Sequence, residues 1–128
     1  MREVVDIEVG GKALAAYSHA VKANGMVYVS GQGSVDPVSG EVVGETIQEQ
    51  TAQCLRIIQG ILEAAGSSLD RVVWVIWSLR DPEDFDGFNE EWGRWFTKEP
   101  PARHGALMPL PERLSALKIS IGAIADAS

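Results

Sequence analysis

The sequence predicts an α+β sandwich in which two helices pack on one face of a mixed β-sheet. Three observations carry that prediction. A capping box at Thr46-Ile47-Gln48-Glu49 opens an apolar pattern of helical period, a nearly continuous apolar run occupies Val72 to Leu79, and β-rich segments flank both. The resulting order, strands, helix, strand, helix, strands, leaves too little chain for a second helix layer.

With 128 residues, 45% hydrophobic and 23% charged, the chain is long enough to bury a core without disulfides, and a single domain over 1–128 is expected. Cys54 is the one cysteine, so no intrachain disulfide can form. No apolar stretch has the length of a membrane span, and Met1-Arg2-Glu3-Val4-Val5-Asp6 lacks the pattern of a signal peptide, so a cytoplasmic protein is expected. The net charge of −7 makes nucleic acid an unfavoured partner. No metal-ligand spacing, phosphate loop or serine triad is visible, and neither metal nor cofactor is expected.

From the N-terminus, Val5, Ile7 and Val9 alternate with acids, the pattern of a half-buried strand, and Gly10-Gly11-Lys12 reads as its turn. Ala13 to Val21 is open between strand and irregular chain. Asn24-Gly25 is a hairpin signal, and Met26 to Ser30 is the strand leaving it. That strand ends at Gly31-Gln32-Gly33, where the glycines permit either a bulge or a close approach of backbone to a ligand. Asp36-Pro37-Val38-Ser39-Gly40-Glu41 reads as a surface turn.

The first helix is predicted from the capping box to about Ala65, with Ile47, Thr51, Cys54, Ile58, Ile61, Leu62 and Ala65 on one face and Gly66 as its left-handed stop. Cys54 falls on that face and is read as a core residue. The run Val72 to Leu79 is apolar on both of its faces. Helices can cover one, and subunit association is the economical cover for the other. Asp81-Pro82 starts the second helix, whose aromatics Phe85, Phe88, Trp92, Trp95 and Phe96 share a face, with Asn89 beside them. Pro100-Pro101 cannot continue a helix and deliver Arg103 in a fixed direction at the start of a strand reaching Met108. A guanidinium held in that way is suited to clamp a carboxylate through two parallel hydrogen bonds. After the loop Pro109 to Arg113, the last strand puts Leu117, Ile119, Ile121 and Ala123 on one face and Lys118, Ser120 and Gly122 on the other.

Several segments together resemble the reactive-intermediate deaminase family, also known as YjgF-like or L-PSP endoribonuclease-like. They are Tyr17-Ser18-His19-Ala20-Val21, Val29-Ser30-Gly31-Gln32, Asp36-Pro37 to Gly40, Gln50-Thr51-Ala52-Gln53, Ile61 to Gly66, Asn89 to Phe96, Pro101-Ala102-Arg103 and Ala123-Ile124-Ala125. The resemblance covers nearly the whole chain. It implies chorismate-mutase-like subunits in a barrel-like homotrimer, with ligand clefts between neighbours. It also implies hydrolysis of enamine and imine acids such as 2-aminoacrylate to 2-oxo acids and ammonia. In that reading Arg103 holds the substrate carboxylate, Tyr17 lines the cleft, Ser30 and the Gly31 backbone position the ligand, and Asn89 lies nearby.

Four positions depart from the family pattern. Ser120 and Gly122 stand where deaminating members carry glutamates, one of which positions the attacking water. Gly105, where the archetype has cysteine, is expected to widen the cleft. His19 replaces the family's glutamine and His104 follows the arginine; both are candidates for proton transfer, although strand alternation turns His104 away from Arg103. A carboxylate-binding trimer without catalysis is the alternative reading, and Gly122 favours it. Ribonuclease activity is disfavoured, since no basic, aromatic-interleaved patch is present.

Overall fold

A computed structural model of the chain describes residues 1–5, 13 and 15–128. Strands β1 (Glu3–Val4), β2 (Ala20–Ala23) and β3 (Met26–Gly33) precede helix α1 (Ile47–Ala64) and strand β4 (Val72–Leu79). Helix α2 (Phe85–Trp95) and strands β5 (Ala102–Leu107) and β6 (Ile119–Asp126) complete the order. One six-stranded sheet runs β1-β2-β3-β6-β4-β5. Only β4 and β5 are parallel, and α2 makes the crossover between them. The expected α+β class with a mixed sheet and two helices is therefore the observed one.

Asn24 and Gly25 both take positive φ, 53° and 74°, so the β2–β3 hairpin turns where the Asn-Gly pair predicts. Of the first predicted strand only Glu3–Val4 is seen as strand, paired with Val21 and Lys22; residues 6–12, with the expected turn, lie outside the described residues. The capping box is formed in both directions. Glu49 N–H donates to Thr46 Oγ1 at 3.1 Å, and Thr46 N–H to Glu49 Oε1 at 3.3 Å. At the other end Gly66 has φ +84°, Ser67 N–H donates to Leu62 O and Gly66 N–H to Glu63 O, which closes α1 as a Schellman motif.

All seven residues assigned to the apolar face of α1 are buried, and α1 lies over β3 and β6 while α2 packs beside it. Between them Leu55, Ile58 and Leu62 of α1, Phe88 of α2 and Val27, Val75, Ile119 and Ile121 of the sheet form the core. Cys54 is fully buried there and its thiol lies 3.2 Å from Gln32 O, with burial pushing its pKa far up. In the folded protein Cys54 is expected to resist a thiol-modifying reagent and to react only after denaturation; rapid titration of the native thiol would contradict this burial.

A polar side chain also sits in this core. Gln50 donates from Nε2 to Gly44 O (3.1 Å) and Ala116 O (2.9 Å) and accepts at Oε1 from Lys118 N–H (2.8 Å). It thus ties α1 to the segments on either side of it. Gln50→Leu removes the amide from those part-buried backbone groups, so urea unfolding is expected at a lower midpoint, with stability reduced by about 1–3 kcal/mol. An unchanged midpoint would show that the backbone re-pairs without the amide.

The second face of β4 is open, in keeping with the unmet cover that its apolar run predicts. Trp74, Ile76 and Ser78 line a concavity of about 430 Å3 with Tyr28 of β3 and Ser120, Gly122 and Ile124 of β6. Ile76 is 52% exposed there, whereas Val75 and Leu79 on the helix side are buried.

Candidate functional site

α2 ends at Trp95, and the chain enters β5 through Glu99, which has a positive φ of 42°, and the two prolines that follow. Arg103 then lies opposite Val75 in the parallel ladder, and its side chain projects toward α2. Nη2 donates to Asn89 Oδ1 at 2.5 Å. The guanidinium carbon sits 5.1 Å from the ring centroids of Phe88 and Trp92 and 5.9 Å from that of Trp77. Arg103 is thus boxed by three aromatic faces, each attractive to a cation. Nη1 is buried and has no hydrogen-bond partner among the described residues. Burial lowers the pKa of the group from its ordinary value, although a guanidinium remains charged.

Gly105 lies two residues further on the same side of β5, opposite Trp77. A Cβ built on it would stand 2.0 Å from two carbons of the indole. The missing side chain therefore does not widen the cleft, as its sequence position suggests; the Trp77 ring fills the space and lies directly on the strand. His104, between them in sequence, is exposed on the opposite side, where strand alternation places it. It does not meet Arg103.

A second group of the expected residues gathers at the β3 bulge between Val29 and Gln32. Ser30 Oγ donates to Ser18 O at 2.6 Å and Ser30 N–H to His19 O at 2.9 Å, which hold the 18–19 segment against the strand. Tyr17 is 42% exposed and meets the His19 ring edge-on at 5.9 Å between centroids. Gln32, which sequence reasoning placed at the glycine-flanked end of the strand without a role of its own, organises this group. Its Nε2 donates to Ser30 O at 3.0 Å and lies 3.2 Å from His19 Nδ1, leaving Nδ1 the acceptor in that contact. The available signal was a long amide side chain between two glycines at the end of a strand.

The bulge also explains two glycines. A Cβ on Gly31 would come 2.7 Å from Ser120 Oγ, and one on Gly122 would come 3.2 Å from Val29 O and 3.5 Å from Gly31 N. Ser30, Gly31, Ser78, Ser120 and Gly122 all line the open concavity, and none of them brings a carboxylate to it.

The two groups do not converge within one chain. Strands β6 and β4 lie between β3 and β5, so three strand spacings, about 14 Å, separate them. Ser30 and Gly31 line the open face, while Arg103 points to the helix layer. A small acid on Arg103 cannot reach Ser30 of the same chain. The chain carries two separate groups: a boxed cation with an amide partner, and a polar bulge beside an exposed phenol.

The architecture is that of an α+β sandwich built on a mixed six-stranded sheet, and comparison with known proteins gives its family. The family described as Endoribonuclease L-PSP matches residues 9–125. A RutC family protein of Saccharolobus solfataricus is 45% identical over 103 residues, covering 80% of this chain and 82% of that protein. Reactive Intermediate Deaminase A of Arabidopsis thaliana, a chloroplastic protein, is 38% identical over 102 residues, covering 80% of this chain and 54% of that one. The crystal structure of the YjgF gene product of E. coli superposes with a TM-score of 0.87 at 30% identity, covering 98% of this chain and 99% of the other. The chain belongs to the Endoribonuclease L-PSP family, the group of YjgF-like and reactive-intermediate deaminase proteins. Among the described residues no helix is long and apolar enough to cross a membrane.

Proposed function

We propose that this protein hydrolyses reactive enamine and imine acids, of the 2-aminoacrylate and 2-imino acid type, to 2-oxo acids and ammonia. The observation that carries the reading is Arg103: a part-buried cation in an aromatic box, with Asn89 on Nη2 and no hydrogen-bond partner for the buried Nη1 among the described residues. Such a group is under-satisfied, and a carboxylate would supply both the missing hydrogen bond and the missing charge. The chemistry asks little more. An imine is already electrophilic at C2, so the protein has to orient it, place a water and move protons. Water adds to C2, the C–N bond breaks, and nitrogen leaves as ammonia after protonation.

The other half-site belongs, in this reading, to a neighbouring subunit of a homotrimer. Tyr17 would close over the ligand, and Ser30 and the Gly31 backbone would meet the reacting end. His19, held by Gln32 beside Tyr17, is the nearer candidate for proton transfer; His104 faces away from Arg103 and is a weaker one. Ammonia and 2-oxo acid release would be measured with imino acids generated in place by an amino-acid oxidase. Acceleration by the wild-type protein that disappears in Arg103→Ala is the expected result.

A second reading is favoured by one observation: the concavity near Ser30 and Gly31 holds hydroxyls from Ser78 and Ser120 and, among the described residues, no carboxylate to activate water. There the protein would bind small carboxylates without turning them over. Arg103-dependent binding with no acceleration for either small or bulky imino acids would decide for it.

A further inference from the structure

We infer that Trp77, lying on Gly105, forms with Phe85 and Leu107 a side-chain subsite beside Arg103 that selects acids bearing a large apolar group, aromatic above all, over acids bearing a methyl. The inference rests on the reading that Arg103 holds the ligand's carboxylate, and it assigns the part of the ligand that the carboxylate clamp leaves unspecified.

The indole is where it is because position 105 has no side chain. Its carbons occupy the place of a Cβ, so the ring can lie flat against the backbone of β5 only when residue 105 is glycine. On one side the ring approaches the Arg103 guanidinium, at 5.9 Å from its centroid. On another it borders a separate cavity of about 270 Å3, lined by Trp77, Leu79, Pro82, Phe85, Ala106 and Leu107. The indole therefore joins the candidate carboxylate anchor to an apolar cavity.

That cavity departs from the rest of the helix layer. Phe88 and Trp92 of the same aromatic face are buried, but Phe85 is 41% exposed and Leu107 55% exposed. Phe85 lies 5.6 Å from Trp77 between centroids, so the two rings form one continuous wall. No lining side chain offers a hydrogen bond except through the indole N–H. A hydroxylated or charged substituent would lose its water there without replacement, whereas a phenyl ring or branched alkyl group would remove apolar surface from water and stack on aromatic faces. Length adds to the discrimination. Leu107 is four residues along β5 from Arg103, about 13 Å at the rise of a strand. A methyl held at the guanidinium stops short of the cavity, while a benzyl group extends across the indole toward it.

The full chain would be titrated calorimetrically with phenylpyruvate and with pyruvate, stable 2-oxo acids of the product type. Expected for the wild type is tighter binding of phenylpyruvate by about tenfold or more. The ratio of the two affinities should fall several-fold in Leu107→Ser, whose side chain is exposed and not needed for folding, and approach one in Trp77→Val. Equal affinities in the wild type, or a preference that survives both substitutions, would overturn the subsite. So would a Leu107→Ser protein that changes its association state and keeps its preference, which would assign the cavity to a subunit contact. A different result tests the underlying reading: if neither acid binds, or both bind equally well to Arg103→Ala, the carboxylate clamp itself is wrong.

Discussion

Arg103→Ala is expected to lower kcat/KM for an imino acid by roughly 10²–10³-fold, the effect of removing one partner of a desolvated, hydrogen-bonded charge pair. Arg103→Lys should recover only a small part, since an ammonium cannot offer the planar fork and cannot stack in the same way between Phe88 and Trp92. Stability should move the other way. In the free protein the guanidinium is partly desolvated, its Nη1 has no hydrogen-bond partner among the described residues, and among them Asn89 and the aromatic faces offset its burial. Arg103→Met fills the box with apolar volume and removes a buried charge, so its melting temperature should equal or exceed that of the wild type. A loss of activity without a loss of stability is the mark of a residue kept for a ligand. A melting temperature several degrees lower with turnover unchanged would make Arg103 a structural residue and end the proposed function.

Ile76→Asp is expected to abolish both association and activity while leaving the subunit folded. Ile76 stands midway along β4 on the open face of the sheet, exposed in the single chain, and lines the concavity with Trp74, Tyr28 and Ile124. In an associated state that face would be buried, and an unpaired carboxylate in it would cost several kcal/mol per subunit. Sedimentation should then give an assembled wild type and a monomeric variant with the same circular dichroism. Activity should vanish with assembly, because Arg103 and Ser30 are too far apart in one chain to hold the same small molecule. Complementation sharpens the test: Arg103→Ala mixed and refolded with Gly31→Val should regain activity that neither has alone, as sites form from one intact half of each. A wild type that sediments as a single chain yet turns over imino acids would defeat the shared-site reading.

Local chemistry made much of this fold legible. Thr46 and Glu49 satisfy each other's backbone, Gly66 takes the left-handed turn, and Asn24-Gly25 supplies two positive φ angles; each needs only its near neighbours. The helical face through Cys54 and the alternation through Ile119 and Ile121 were equally readable, because a period in sequence becomes a face in space. Arg103 could be singled out because two prolines make its direction a local matter, and the family was apparent from motifs in order along the chain.

What sequence alone left undecided, or misjudged, depends on which strand lies next to which. The widening expected at Gly105 fails because β4 runs parallel beside β5 and places Trp77 opposite it, a neighbour 28 positions away. Gln32 gains its role only when the bulge in β3 turns its amide to His19 and Ser30. Phe85 shares its periodicity with Phe88 but stays half exposed, since α2 begins at the edge of the sheet where no further strand covers it. The separation of Arg103 from Ser30 is a matter of strand order as well. Periodicity and capping are carried by the nearest few residues and so are written in the sequence; the wall beside Arg103 and the distance between Arg103 and Ser30 come from pairings between distant segments, which only the tertiary structure decides.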